Sequence, residues 1–285
     1  MSRLGVVTYA LFLVLVLAPS PSFAAPGLTL RPLLGLFDPG GFYWGVAARG
    51  QYGATTMTIL FRHNDFRGDE WRLSYERPLA SPWVFRFDLA VNEKRDTFDI
   101  DRLPEVTLFL LPIRLGSSVS VTGEAGVGVL FERQSGVRTV RTRTAFTLLT
   151  DPVPLAGVPV DTSWIIASSW YTGAAPQHSA AVTIGTTIPL GSSFAFRAAY
   201  TRRWVDGLSP LGFDRLEALK EAAGTLSLRL TGTLTASATF VYGFFVRDVK
   251  DRDYALTYGP PGQVPISLIW HDVTQRWEMN FGQTF

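Results

Sequence analysis

The three histidines are the first residues to weigh for chemistry, because an imidazole held by a carboxylate is the commonest general base. His63 stands in His63-Asn64-Asp65 and His271 beside Asp272, while His178 has no acidic neighbour in sequence. A His–Asp dyad or a Ser–His pair could be assembled from them in space. No spacing requires it, and all three fall in or beside expected loops, where solvated polar residues are ordinary. No catalytic residue is therefore assigned and no enzyme is expected. An outer-membrane hydrolase acting on lipid or lipopolysaccharide is the alternative that these histidines leave open.

The chain has no cysteine, which excludes disulfide staples, thiolate metal sites and a cysteine nucleophile. "DVKDRD" (Asp248 to Asp253) gathers three carboxylates and two cations but lacks the glycine and closing glutamate of a calcium loop. It reads as a charged outer loop, and no metal or cofactor is expected. "GEAGVG" (Gly123 to Gly128) is no phosphate cradle, because strand alternation continues through it and no helix follows. Gly126 and Gly128 are expected instead to make room inside a closed sheet.

Arginine is the more informative set. Only Lys94, Lys220 and Lys250 are lysine, all other basic side chains are arginine, and the formal net charge is +2. A charge this small draws no nucleic acid, whereas guanidinium groups suit bidentate pairing with carboxylates.

These side chains must be carried by strands. Apolar residues make up 47% of the chain, yet beyond the N-terminal run none of the apolar stretches approaches the ~20 residues of a membrane helix. They interleave with polar ones at period 2, the period of a strand. "EWRLSYE" sets Trp71, Leu73 and Tyr75 against Arg72, Ser74 and Glu76; "WVFRFDLAVN" sets Trp83, Phe85 and Phe87 against Arg86 and Asp88. "TLSLRLTGTL" sets Leu226, Leu228 and Leu230 against Ser227 and Arg229. One segment, "FDRLEALKEAAG" (Phe213 to Gly224), has helical spacing and a terminal glycine, and is expected to form a short helix in a loop.

Turns separate the strands in two classes. Tight ones fall at Arg77–Trp83, Ile113–Ser120, Ile188–Phe194 and Thr231–Ala238; longer connections are expected at Asn92–Pro104, Val205–Gly224 and Asp248–Val273. The expectation is an all-β fold, a transmembrane antiparallel up-and-down β-barrel of about 12–14 strands, with short periplasmic turns and longer outer loops.

The composition of the two faces orients the sheet. A soluble surface usually carries more lysine and glutamate than the polar face here. With the apolar face toward lipid, Trp71, Tyr75, Trp83, Phe85, Phe87, Phe196, Leu228, Phe244, Trp277 and Phe281 meet the bilayer. Arg72, Glu76, Arg86, Asp88, Glu124, Arg197, Arg229, Arg276 and Glu278 then line the lumen, where they could neutralise each other or select ions.

The N-terminal segment has Arg3, an apolar run from Val6 to Ala18 and small residues at Ser22 and Ala24, the layout of a secretory signal peptide over residues 1–24. Residues 25–285 are the expected barrel. Its closing segment "MNFGQTF", with Phe281 and Phe285, looks like the terminal signal that barrel-assembly machinery reads.

Two segments carry a family resemblance. "LSYERPLASPWVFRFDLAVNEKRD" (Leu73 to Asp96) and "VPISLIWHDVTQRWEMNFGQTF" (Val264 to Phe285) resemble the early hairpin and closing strands of the BamA/TamA-type outer-membrane assembly-factor superfamily, the bacterial surface antigen barrels. The resemblance implies a sixteen-stranded barrel, which the chain could accommodate only with very short loops. The family's periplasmic POTRA repeats find no counterpart, nor does its Arg-Gly-Phe/Tyr lid motif, since Arg49-Gly50 and Arg67-Gly68 continue with Gln51 and Asp69. No functional residue is carried over.

The functional expectation is a bacterial outer-membrane barrel, structural or a small passive channel, with an assembly-factor-like barrel as the alternative from the resemblance. Expected partners are outer-membrane lipids and lipopolysaccharide, the assembly machinery during insertion, and small solutes.

Overall fold

A computed structural model describes residues 27–37, 41–64, 68–95, 98–259 and 266–281. The expected signal peptide and Phe285 lie outside these residues, as do the side chains of Arg276, Glu278 and Phe281.

The chain runs β1 (Gly27–Phe37), β2 (Gly41–Tyr52), β3 (Thr55–Asn64), β4 (Glu70–Pro78), β5 (Trp83–Arg95), β6 (Phe98–Arg114), β7 (Val119–Glu132), β8 (Val137–Thr150) and β9 (Val153–Leu155). It continues with β10 (Val158–Tyr171), β11 (Gln177–Pro189), β12 (Phe194–Gly207), β13 (Leu219–Arg229), β14 (Leu234–Gly243), β15 (Asp248–Tyr258), β16 (Ile266–His271) and β17 (Arg276–Phe281). Neighbours in sequence pair antiparallel throughout, except that β10 pairs with both β8 and the three-residue β9, which prolongs the β8 edge. β1 pairs with β2 and also with β17, through Gly35–Asn280, Leu36–Met279 and Phe37–Glu278. The succession of pairings thus returns to its start, and no long strand is left with one neighbour.

The up-and-down β architecture is as the alternation predicts, but there are more strands than 12–14. Setting β9 aside, the seventeen strands leave sixteen. The additional two, β15 and β16, lie in Asp248–Val273, read as a connection, whereas Asn92–Pro104, also read as one, only lengthens β5 and β6. The expected helix over 213–224 is replaced by a 3-10 turn at Gly212–Asp214 and then β13, whose Glu221 to Arg229 pair with β14. Ladder pairing on both sides outweighs the weak local preference of Leu-Lys-Glu-Ala-Ala.

Loop lengths separate less than expected. The four tight turns lie at one end, where β1 begins and β17 finishes, and share one closure. Leu79, Leu115, Leu190 and Leu230 each donate a backbone N–H to the carbonyl four residues on, at 2.8–2.9 Å. In the two Leu-Gly-Ser-Ser turns the glycine, Gly116 or Gly191, takes a φ of 85° or 89°, which a side chain would resist. At the other end only the β12–β13 connection, residues 208–218, is long.

Prolines mark the irregular registers. β6 holds Pro104 and Pro112, which cannot donate to a ladder, and the β6–β7 register shifts between Arg102 and Glu105 and again between Leu110 and Ile113.

One face of the sheet carries exposed apolar side chains from nearly every strand, including Trp71, Phe146, Trp164, Ile184, Phe240 and Trp277. An arginine placed among them at Ile166, which is 63% exposed in mid-strand, is expected to lower folding stability by about 2–4 kcal/mol. Urea titration of the barrel refolded into lipid vesicles measures it, with Thr183→Arg on the opposite face as the milder comparison.

Candidate functional site

The polar face is read from the registers. One row runs Thr58, Ser74, Asp88, Glu105, Gly128, Arg141 and Tyr171 across β3 to β10. The next runs Thr56, Glu76, Arg86, Thr107, Gly126, Arg143 and Ser169.

Along these rows the charges join into a ladder. Arg62 lies 2.5 Å from Glu70, and Arg72 bridges Glu70 at 3.9 Å to Glu93. Arg102 holds Glu93 at 2.6 Å and Glu105 at 2.7 Å. Arg141 holds Glu105 at 2.5 Å and Asp214 at 2.8 Å, and the Tyr171 hydroxyl donates to Asp214 at 2.6 Å. Glu70, Glu93 and Glu105 are buried, Glu93 to 1% exposure. Carboxylates so far from water persist only with partners, and four guanidinium groups alternating with four carboxylates satisfy that.

The ladder ends on the long connection. Asp214 belongs to the 208–218 segment, whose Leu211 is fully buried against Leu130 and Tyr171. The Phe213 N–H donates to Glu132 at 3.1 Å and the Leu216 N–H to Gln177 at 3.3 Å. A Cβ on Gly212 would stand 2.5 Å from the Phe98 ring, so any larger residue would have to displace that ring. The segment leaves from β12 and β13 and touches β11, β10, β8, β7 and β6 in turn, on the face where Glu70, Glu93 and Leu211 are buried, the inner face of the ring. A cavity of about 190 Å³ remains between the segment and these strands, lined by Arg86, Arg102, Glu124, Arg143 and Asp214 among others.

The opposite wall differs. Its inner positions are small and hydroxylated: Thr183 pairs with Thr201 at 3.0 Å, Thr225 with Thr239 at 3.1 Å and Thr257 with Ser267 at 3.1 Å.

Of the residues expected to face inward, Arg72 is in the ladder, Glu76 holds Arg86 at 2.6 Å, and Asp88 accepts from the Ser74 hydroxyl at 2.5 Å. Glu124 meets Arg143 at 3.1 Å. Arg197 stands apart from these, 3.7 Å from Asp161, and Arg229 has no ionic partner among the described residues. Arg276 and Glu278 are placed by backbone register opposite His271 and Ile269. On the other face Tyr75 packs near Phe85, Phe87 lies opposite Tyr75, and Trp83 and Phe196 are exposed. Leu228 pairs with Phe194, Phe244 meets Tyr200 and Tyr242, and Trp277 stacks 5.0 Å from Trp270.

The histidines are not brought together. His63 contacts Asp69 at 2.7 Å, His271 contacts Asp253 at 2.8 Å rather than Asp272, and His178 contacts Ser168 at 2.9 Å; Asp65 lies outside the described residues.

Arg62, Glu70, Glu93, Arg102, Glu105, Arg141 and Asp214 are the members sequence reasoning missed. The reason is plainest at Glu93. Strict alternation groups it with Trp83 and Phe85, but Asn92 takes a φ of 57° and the register slips between Ala90 and Glu93, which turns Glu93 inward.

No family model matches the chain, and no curated protein matches it. Among solved structures it is similar to BamA from Haemophilus ducreyi lacking POTRA domains 1–3, with a TM-score of 0.54 at 9% identity over 89% of this chain and 70% of that one. It is also similar to CdiB from Acinetobacter baumannii, with a TM-score of 0.53 at 11% identity over 88% of this chain and 59% of that one. A lower score of 0.43, at 10% identity over 93% and 99% of the two chains, is found with the outer membrane channel DcaP of Acinetobacter baumannii. The fold is that of bacterial outer-membrane β-barrels.

Replacing Arg141 by methionine strips Glu105 and Asp214 of a buried partner and is expected to lower stability by about 3–5 kcal/mol, read by urea titration in lipid vesicles. A Cβ at Gly128 would fall 2.7 Å from that of Glu105, so Gly128→Val should also reduce the folded fraction on a heat-modifiability gel. Gly50→Ala, with open space around it, should not.

Proposed function

We propose that the barrel is a small passive channel, with a charged lumen narrowed by the 208–218 plug. The observation that carries this reading is the contrast between its inner walls. The β3–β8 wall is filled by the ion-pair ladder and the plug, whereas the β11–β16 wall is lined by paired hydroxyls, groups that exchange readily with water. A solute path runs along the hydroxyl wall and passes Arg229, which has no carboxylate partner among the described residues and so contributes a local preference for anions. Lipids and lipopolysaccharide cover the apolar outside, and the assembly machinery inserts the chain.

The second reading, an assembly-factor-like barrel, is supported by likeness in fold to BamA and CdiB. Copurification of unfolded barrel precursors would favour it. The hydrolase reading is the least supported, because the Ser168–His178 pair has no carboxylate partner among the described residues.

Reconstitution into a planar bilayer tests the channel. The wild type should give small discrete conductance steps. Asp214→Asn, which weakens the plug's ionic tether, should enlarge them, and Arg229→Glu should move the reversal potential toward cation preference. A barrel that folds and carries no current, with or without the tether, defeats the proposal.

A further inference from the structure

The run Asp248–Asp253, expected to be a charged loop, forms the first half of β15. Asp251 and Asp253 are two apart on one strand and so share a face, the inner one. Across the ladder, His271 on β16 lies directly opposite Asp253. One ligand atom from each of Asp251, Asp253 and His271 lies within 4.8 Å of the other two.

Most other carboxylates of the inner face meet a cation, while Asp88 is held by the Ser74 hydroxyl. The ladder acids have arginines, Glu76, Glu124 and Asp161 have Arg86, Arg143 and Arg197, and Glu221 has Lys250 at 2.6 Å. Asp251 and Asp253 stand side by side without an Arg or Lys partner among the described residues; Arg252 between them points to Asp272 on the other face. The sheet therefore holds two like charges together and offers an imidazole where an arginine stands in the other pairs.

We propose that Asp251, Asp253 and His271 form a binding site for a divalent transition-metal ion of the Zn²⁺ class on the inner wall. Two carboxylates and one imidazole suit zinc and its neighbours better than calcium or magnesium, which favour all-oxygen shells. Ligands about 2.0–2.2 Å from zinc lie within the 4.8 Å that bounds these three atoms, so side-chain rotations alone can close the site. Remaining coordination positions face the enclosed space, open to water or a passing solute. Binding does not depend on conductance, so the site stands or falls separately from the channel reading.

Calorimetric titration of ZnCl₂ into the tag-free, refolded full-length barrel tests it. The expected result is one Zn²⁺ per chain, with affinity reduced more than about tenfold in Asp251→Asn and His271→Ala, and unchanged in His178→Ala. Folding of each variant is checked by heat modifiability, and the conservative Asp251→Asn preserves side-chain volume should His271→Ala fail to fold. Absence of stoichiometric binding in the wild type, equal binding in the folded Asp251→Asn variant, or displacement of Zn²⁺ by equimolar Mg²⁺ would overturn the assignment.

Discussion

Inside a bilayer a backbone N–H or C=O has no water to turn to, so every one must be paired within the protein. That constraint governs this fold more than any side-chain contact does. It accounts for β1 meeting β17 as well as β2, and for the near absence of unpaired connections: segments that could have been loops are drawn into ladders. Sixteen long strands are accommodated because most turns are only a few residues.

Closure gives the sheet an inside, and the inside creates the second problem. Alternation sends half the side chains to that face, including the buried carboxylates Glu70, Glu93 and Glu105. Burial of a single carboxylate such as Glu93 costs several kcal/mol without a partner. The ladder from Arg62 to Asp214 resolves this by sharing: each central guanidinium serves two carboxylates, and each central carboxylate two guanidinium groups. Arginine does this better than lysine because its planar fork presents several donors, which gives the lysine-poor composition a structural use.

The ladder also decides where space remains. It draws the 208–218 segment onto the β6–β8 wall, where Leu211 supplies a small apolar core inside an otherwise polar lumen. The β11–β16 wall keeps its hydroxyls in pairs. The outer surface has an apolar cluster of its own, Leu73 and Leu89 with Met57, Ile59 and Phe87, where adjacent strands crowd large side chains.

Taken alone, the amino-acid order determined the class of fold, the up-and-down succession, the tight turns with their leucines and glycines, and the sorting of Trp71, Phe87 or Trp277 from Arg72, Arg86 or Glu124. Period-2 alternation is a local property, visible wherever a strand separates two media. Tertiary structure decided what locality cannot carry. Proline-linked register shifts in β6 and the left-handed Asn92 break the alternation and turn Glu93 inward. Flanking ladders made strands of Leu219–Gly224 and Asp248–Asp253, whose own preferences point elsewhere. The meeting of Arg141 with Asp214, seventy-three residues apart, depends on the 208–218 connection lying back along β11 and β10 to reach β8, and no spacing along the chain records that.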